Sequence, residues 1–307
     1  MNIARFIETY VVISDPITIG WIKSIYGSLQ FITSPIVGSA SDIYGRRSIL
    51  LVSILGAIVG YILLGLAGSI AMVVLSRIPC GLFKHTLDNI KLAVTDLEIQ
   101  SNRAEALGKL NACTSLGFIL GPALAGYLST FPNGFRWTVT MTIVCFAINA
   151  TLIYQFYHPQ LDQLPVRTGN KENKPRLCVM AQRKVTEFWH AFHDPGPVRS
   201  MLFVRFLMAL SAVTFRSHFI LVLEAKYGSN EATQGYVLSY MGLLTSCGSF
   251  GVGQYVKWVQ SEAVLILSAI LLLSTSYLCI GLSNSLVGVL VALIPNAVAV
   301  RYVVGED

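Results

Sequence analysis

The stretch GSASDIYGRRS, residues 38–48, places an aspartate and two adjacent arginines between two long apolar runs. Each flanking run is about 20 residues long, enough to cross a hydrocarbon core of roughly 30 Å at about 1.5 Å per helical residue. Charge confined to a short connection between two such runs indicates a turn at a membrane surface. The rest of the chain repeats this alternation.

The composition is typical of a membrane protein. Of the 307 residues, 54% are hydrophobic and only 12% are charged, whereas soluble domains contain about 25% charged residues. Mean hydropathy is +0.63. The formal net charge of +6 does not indicate a nucleic-acid partner, because the basic residues lie in short loops and one central segment. The six cysteines are widely spaced and give no disulfide framework or zinc-ligand pattern.

The hydropathy pattern predicts an all-α, polytopic helical membrane protein. Helices are expected because they satisfy their backbone groups internally, and no water is available in the bilayer core to hydrogen-bond free ones. We predict nine spans, at residues 17–39, 48–67, 70–90, 108–129, 136–157, 200–223, 232–255, 263–282 and 285–303.

One long polar segment, residues 158–199, divides the chain into 1–157 and 200–307. Its composition indicates a cytoplasmic linker between two helical halves. Its stretch AQRKVTEFWHAF, residues 181–192, favours a short interfacial helix. Arginine and lysine also concentrate in alternate loops. The positive-inside rule therefore predicts that loops 40–47, 91–107, 158–199 and 256–262 face the cytoplasm, because the opposite set carries only Lys226.

An internal repeat supports two related halves. At a fixed offset of 215, seven residues match without a gap. Thr18, Gly20, Ser24, Gly27, Leu29, Val37 and Gly38 match Thr233, Gly235, Ser239, Gly242, Leu244, Val252 and Gly253. Glycine and serine are common in membrane helices, so chance similarity is the alternative reading.

Gly38, Asp42, Gly45, Arg46 and Arg47 fit the pattern G-x-x-x-D-x-x-G-R-R. This pattern resembles the loop between helices two and three of the major facilitator superfamily. The stretches SRIPCGLFKHT and GFILGPALAGYL are similar in sequence to the tetracycline-exporter branch of that family.

The resemblance implies two six-helix halves, of which this chain would hold about nine of twelve helices and lack helices at both ends. It also implies that Asp42 meets the amino end of a helix in the other half, and that Asp96 with Arg103 provides the acidic partner of the arginines. A generic positive-inside anchor is the alternative.

The predicted third span carries a polar stripe. Arg77, Gly81, Lys84, Asp88 and Lys91 are spaced 4, 3, 4 and 3 residues apart, so a continuous helix would hold them within an arc of about 80°. A charge facing lipid costs on the order of 2.5–3.5 kcal/mol, so this face should line protein or a cavity. Arg77 and Gly81 also resemble a helix-four element that the family's proton-coupled antiporters use in proton handling. Interfacial snorkelling of Lys84, Asp88 and Lys91 is the alternative.

A second element, GFILGPALAG, holds Gly117, Gly121, Pro122 and Gly126 in the fourth span. Proline removes a helix hydrogen bond and glycines permit close packing, so we expect this helix to bend where it meets its neighbours. It resembles the fifth-helix element of the family's antiporters, except that Ala125 replaces a glycine. Ordinary small-residue packing is the alternative.

These features predict an integral, multi-pass transporter of a small organic solute, with alternating access and proton-coupled antiport as the mechanism. We predict no enzyme activity, cofactor or metal; the expected partners are the lipid bilayer, the solute and protons. The excess of basic side chains on the stripe favours an anionic solute. A transport-incompetent truncated isoform, or a membrane sensor that retains the fold, is the alternative function.

The loop charges give a prediction of topology. Single cysteines replacing Ser41 and Asn170 should react with an impermeant maleimide only from the cytoplasmic side, and one replacing Asn133 only from the opposite side. Labelling of the Asn170 position from outside would contradict the two-half interpretation.

Overall fold

The computed structural model describes residues 16–83, 85–100, 102–157, 177–193, 196–259 and 262–304. Within these ranges the regular structure is helical throughout, which confirms the all-α class. The helices are α1 Pro16–Tyr44, α2 Arg46–Gly65, α3 Ile70–Phe83, α4 Thr86–Leu97, α5 Arg103–Ser129, α6 Gly134–Phe156, α7 Leu177–His193, α8 Pro197–Tyr227, α9 Glu231–Val259, α10 Glu262–Leu282 and α11 Leu286–Val304.

Helices occupy every predicted span position. Five helical stretches among the described residues are long and apolar enough to cross a membrane: Arg46–Gly65, Ile70–Leu97, Glu105–Ser129, Gly134–Phe156 and Arg199–Tyr227. Two further apolar helices, Leu267–Leu282 and Leu286–Asn296, are shorter. The linker contributes α7, a helix over the stretch that the sequence pattern favoured.

The predicted span 70–90 differs from expectation, because it is not one helix. α3 ends at Phe83 and α4 begins at Thr86. At the break, the His85 backbone N–H donates to the Phe83 carbonyl at 2.8 Å, and the His85 ring lies 3.0 Å from Thr33 Oγ1 on α1. His85 thus lies outside regular helical geometry and contacts α1.

The chain forms two compact units, residues 1–107 with 133–191 and residues 108–132 with 192–307. Most of α5 therefore belongs with the second unit. The division of the chain into halves at 157 and 199, inferred from the polar linker, stays a prediction.

The core of the first unit is built around α2. Leu50, Ile54 and Ala57 are almost fully buried on this helix. Close packing depends on two α2 glycines, since a Cβ added to Gly56 would overlap the Phe83 ring and one added to Gly60 would overlap Cys80 Sγ. α2 and α3 thus approach at a distance that larger residues would prevent.

The second unit has its own apolar core, to which α8, α9, α10 and α11 all contribute. Its buried members are Phe219, Leu223, Val237, Ile280, Val289, Ala292 and Leu293. The Ser276 hydroxyl donates to the Ala292 carbonyl at 2.6 Å and joins α10 to α11. Each unit therefore has its own packed apolar core.

Candidate functional site

Four charged side chains form a continuous chain in the first unit, here called the Asp42 cluster: Lys184, Asp42, Arg46 and Asp96. Lys184 Nζ lies 2.8 Å from Asp42 Oδ2, and Arg46 Nη2 lies 2.7 Å from Asp42 Oδ1. Arg46 also contacts Asp96 Oδ2 at 2.9 Å through both Nη2 and Nε. The cluster joins α7, α1, α2 and α4 through alternating charges.

The alternation matters more than any single pair. Isolated ion pairs on a surface contribute about 0–1 kcal/mol, but here each Asp42 oxygen has its own cation and Arg46 bridges two carboxylates. The Arg46 side chain is only 14% exposed, which reduces screening by water. Removing Arg46 would take away the cation that Asp42 and Asp96 share.

Two glycines of the motif shape this site. Gly45 forms the one-residue connection between α1 and α2 with φ 91° and ψ 149°, a conformation that is costly for any residue with a Cβ. Gly38 lies beneath the linker, since a Cβ added there would be 3.7 Å from Lys184 Nζ. The sharp turn at Gly45 uses the absence of a side chain, whereas a Cβ at Gly38 would meet Lys184 only at an ordinary van der Waals distance.

The remaining arginines lie beside the cluster. Arg47 Nη2 donates to the Tyr154 carbonyl at 2.6 Å, and its guanidinium carbon lies 5.1 Å from the centroid of the Tyr154 ring. A cation at the last turn of α6 is favourable for the helix dipole. Arg103 Nε instead donates to the Glu98 carbonyl at 3.1 Å. Among the predicted partners, the structure therefore brings Asp96 to Arg46.

Lys184 is the member of the cluster that sequence reasoning missed. It lies 142 residues from Asp42 in the chain, and only the general excess of basic residues in the linker marked that region. The resemblance had suggested a helix amino end as the partner of Asp42. In the described residues, the carboxylate is paired with Arg46 and Lys184.

The predicted polar stripe is interrupted. Arg77 and Gly81 lie on α3, whereas Asp88 and Lys91 lie on α4, beyond the break. Lys84 falls outside the described residues. A uniform turn of about 100° per residue therefore does not apply across His85, and a common face for the five residues stays a prediction.

Arg77 remains a charge at membrane depth. It lies seven residues into α3 from Ile70, about 10 Å from that end. The side chain is half-buried, and its Nε atom is inaccessible to solvent and has no hydrogen-bond partner among the described residues. Gly81 has a packing role, since an added Cβ would lie 2.8 Å from Leu29 Cβ and 3.1 Å from the Tyr26 carbonyl oxygen on α1.

Buried polar groups that periodicity did not single out lie at and just after the break between α3 and α4. His85 is 4% exposed and Asn89 is 2% exposed. Asn89 Nδ2 has no hydrogen-bond partner within the described ranges. Asp88 is exposed in the first turn of α4, where a carboxylate is favourable for the helix dipole. The interrupted span thus concentrates polar groups near its middle.

The glycine-rich element of α5 contacts α9 within the second unit. A Cβ added to Gly126 would lie 3.1 Å from both the Ala232 oxygen and Gly235 Cα, and one added to Gly235 would lie 2.6 Å from the Pro122 oxygen. The Ser239 hydroxyl donates to the Ile119 carbonyl in the same contact.

The other glycines of this element are not packed in this way. Added Cβ atoms at Gly117 and Gly121 meet nothing within 4 Å. Among the glycines of this element, the close approach is found at Gly126. α9 also approaches the α5 backbone at Phe118, since a Cβ added to Gly242 would lie 2.7 Å from the Phe118 oxygen, whereas Gly117 and Gly121 face away from this contact. A bend at Pro122 stays a prediction.

The described helices and their charged ends define a multi-pass helical integral membrane protein. The family model for the Major Facilitator Superfamily matches residues 7–304. The chain therefore belongs to the major facilitator superfamily.

Curated relatives come from bacteria and mammals. The chain is 36% identical over 227 residues to the class H tetracycline resistance protein of Pasteurella multocida, covering 73% of this chain and 54% of that protein. It is 26% identical over 281 residues to major facilitator superfamily domain-containing protein 10 of Mus musculus, covering 87% of this chain and 59% of that protein. The chain thus spans little more than half the length of these relatives.

Two solved structures share the fold. The crystal structure of the human organic anion transporter MFSD10 matches with a TM-score of 0.68 at 20% identity, covering 98% of this chain and 78% of that chain. A D-xylose–proton symporter matches with a TM-score of 0.62 at 12% identity, covering 99% and 75% respectively. At these identities the likeness establishes the fold alone.

The Asp42 cluster gives a double-mutant prediction. Lys184→Gln and Asp42→Asn should each lower the free energy of unfolding, but the double variant should be less destabilised than the sum by about 0.5–1 kcal/mol, because both substitutions remove the same contact. Denaturant titration in mixed micelles would measure this coupling. Arg183→Gln is the matched control, since Arg183 pairs with Glu187 on its own helix at 2.9 Å. Strict additivity of Lys184→Gln with Asp42→Asn would show that the contact contributes nothing.

The contact between α5 and α9 gives a second prediction. Gly235→Ala should destabilise the protein by about 1–3 kcal/mol, because the new methyl group would overlap backbone atoms that cannot rotate away. Gly121→Ala should be neutral or stabilising by up to about 1 kcal/mol, because its site is open and alanine favours a helix. Thermal unfolding of both variants in one detergent would compare them. Equal midpoints would mean that α5 and α9 do not pack at this distance.

Proposed function

We propose that this protein is a secondary-active transporter of a small organic solute that works by alternating access. Membership of the major facilitator superfamily supports this class of function rather than an enzyme. The relatives in the comparison are a tetracycline resistance protein, an organic anion transporter and a sugar–proton symporter by their names. Their names point to different solutes, so the solute must be inferred from this chain's own residues.

The observation that carries the proposal is Arg77. A guanidinium about 10 Å inside the membrane, with Nε buried and unpartnered among the described residues, is costly unless an acceptor completes its hydrogen bonds. A carboxylate or another acidic group on a solute would supply that acceptor and compensate the charge. We therefore propose an organic anion, or a neutral solute bearing an acidic group, as the substrate class.

Arg77 also supports proton coupling. A cation that binds a solute anion in one state needs a competing partner to release it in the other, and protonation of a nearby acid is one way to change that balance. Asp88 is the exposed acid of the same interrupted span. We propose proton-coupled antiport in which Arg77 binds the anion, Asp88 exchanges the proton, and Lys91 lies at the inner end of the path.

The Asp42 cluster then acts as a cytoplasmic gate. Alternating access requires contacts that form in one state and break in the other, and ion pairs at helix ends are suited to this because each contributes only a small free energy. We propose that Lys184 exchanges its contact with Asp42 during the cycle, so that the linker moves with the gate. In this view Arg46 and Asp96 stay paired and hold α2 to α4 in both states.

Arg77 provides the test of the substrate class. In proteoliposomes containing the full-length chain, Arg77→Gln should lower kcat/KM for carboxyfluorescein, an organic anion, by about 10- to 100-fold, the range expected for loss of a hydrogen bond to a charged group. Lys91→Gln should have a smaller effect because it lies near the interface. Arg77→Lys should retain part of the activity, since it keeps the charge but not the fork of donors.

Rhodamine 123, an organic cation, serves as the matched solute in the same vesicles. Transport of the cation in preference to the anion, or equal rates for wild type and Arg77→Gln, would contradict the proposed substrate class.

A further inference from the structure

Three helices of the second unit bring polar side chains to one place, here called the Asn296 site: Ser211 and Arg216 of α8, Tyr277 of α10 and Asn296 of α11. The Tyr277 hydroxyl lies near the Asn296 and Ser211 side chains, and Arg216 is close enough for its charge to act on that hydroxyl. The Phe215 and Tyr277 rings stack with centroids 4.5 Å apart. The ring contact places α8 beside α10 at this level.

Asn296 is the buried end of the site. It is 3% exposed, and its Nδ2 atom is inaccessible to solvent and has no hydrogen-bond partner among the described residues. By contrast, the Ser276 hydroxyl on the same pair of helices donates to the Ala292 carbonyl at 2.6 Å. The pair therefore holds one satisfied polar group and one amide donor with incomplete hydrogen bonds, which is costly where no water is available.

Arg216 is the exposed end of the site. It lies eleven residues before the end of the span Arg199–Tyr227, about 17 Å at a regular rise. Because helical side chains point towards the amino end of their helix, the guanidinium is directed away from the nearer end of the span and does not reach water there by snorkelling. A cation at this depth is costly unless it faces water or an anion.

The chemistry of the site is that of a donor set. The Asn296 amide, the Arg216 guanidinium and the hydroxyls of Tyr277 and Ser211 can all donate, and the residues that form the site include no acidic side chain. One cation and several donors without a carboxylate suit an oxyanion, whose two oxygens accept from the buried amide and from the guanidinium. An organic cation would instead require acceptors.

We propose that the Asn296 site binds the carboxylate of an organic anion. Asn296 Nδ2 and the Arg216 guanidinium are the donors, and Tyr277 positions the Asn296 amide. This assignment rests on the proposed transport of organic anions, but the site lies wholly within the second unit and does not involve Arg77. It gives α8, α10 and α11 a direct part in holding the solute.

Equilibrium binding of carboxyfluorescein to the full-length chain in nanodiscs, followed by fluorescence anisotropy, tests the site. Asn296→Leu and Arg216→Gln should each raise Kd by about 10-fold or more, as expected for loss of a hydrogen bond to a charged group. The double variant should raise Kd by less than the product of the two single changes, because both residues hold one carboxylate. Tyr277→Phe keeps the ring stack and should raise Kd only a few-fold.

Ser276→Ala is the matched control, since it removes a hydrogen bond between α10 and α11 outside the site. It should lower the midpoint of thermal unfolding and leave Kd unchanged. Arg216 is exposed, so Arg216→Gln should unfold at the wild-type temperature, and its loss of binding would not reflect a loss of folding. Arg216→Lys should keep part of the affinity, because it retains the charge without the fork of donors.

The same measurement separates this site from the proposed role of Arg77. Loss of binding in Asn296→Leu and Arg216→Gln, with affinity kept in Arg77→Gln, would support the site and contradict the role of Arg77. Kd values within about twofold of wild type in both Asn296→Leu and Arg216→Gln would overturn the proposal and would mean that water completes the amide. An equal rise of Kd in Ser276→Ala, or the same losses for rhodamine 123, would also overturn it.

Discussion

The hydrocarbon core of the membrane offers no water to hydrogen-bond a free backbone group or to solvate a charge. This constraint explains why the described residues fold as helices and why charge gathers where helices end. The Asp42 cluster is the clearest result, because two carboxylates and two cations from four helices alternate there within 2.9 Å of one another. Charges that would be costly along the spans instead form ion pairs between helices at the ends of the spans.

The same constraint removes the hydrophobic effect as a force between spans, so close packing must hold them together. Small residues permit that packing at particular points. Gly60 admits Cys80, Gly81 admits the backbone of α1, and Gly126 meets Gly235. Other glycines, such as Gly117, face open space, and a glycine in a membrane helix is therefore no guarantee of a contact.

Polar groups retained at depth are exceptions to the constraint, and they point to function. His85 and Asn89 lie at the break between α3 and α4, and Arg77 lies earlier on α3, in the same candidate membrane span. An interrupted helix supplies free backbone groups and polar side chains within the membrane. In the proposed transport cycle, this interior region is the binding centre and the Asp42 cluster is the gate.

The sequence by itself determined the helical class and the regions where helices lie, because hydropathy over about 20 residues reports directly on burial in lipid. Five of the described helical stretches are long and apolar enough to cross a membrane. The motif Gly38–Arg47 also located the charged turn and indicated the family that the whole-chain comparison established. Only the tertiary structure decided that Lys184 pairs with Asp42, that His85 interrupts the third span, and that the close contact of α5 falls at Gly126. Local periodicity assumes a continuous helix and cannot register a neighbour, whereas each of these features is set by a side chain or backbone that another helix brings from far along the chain.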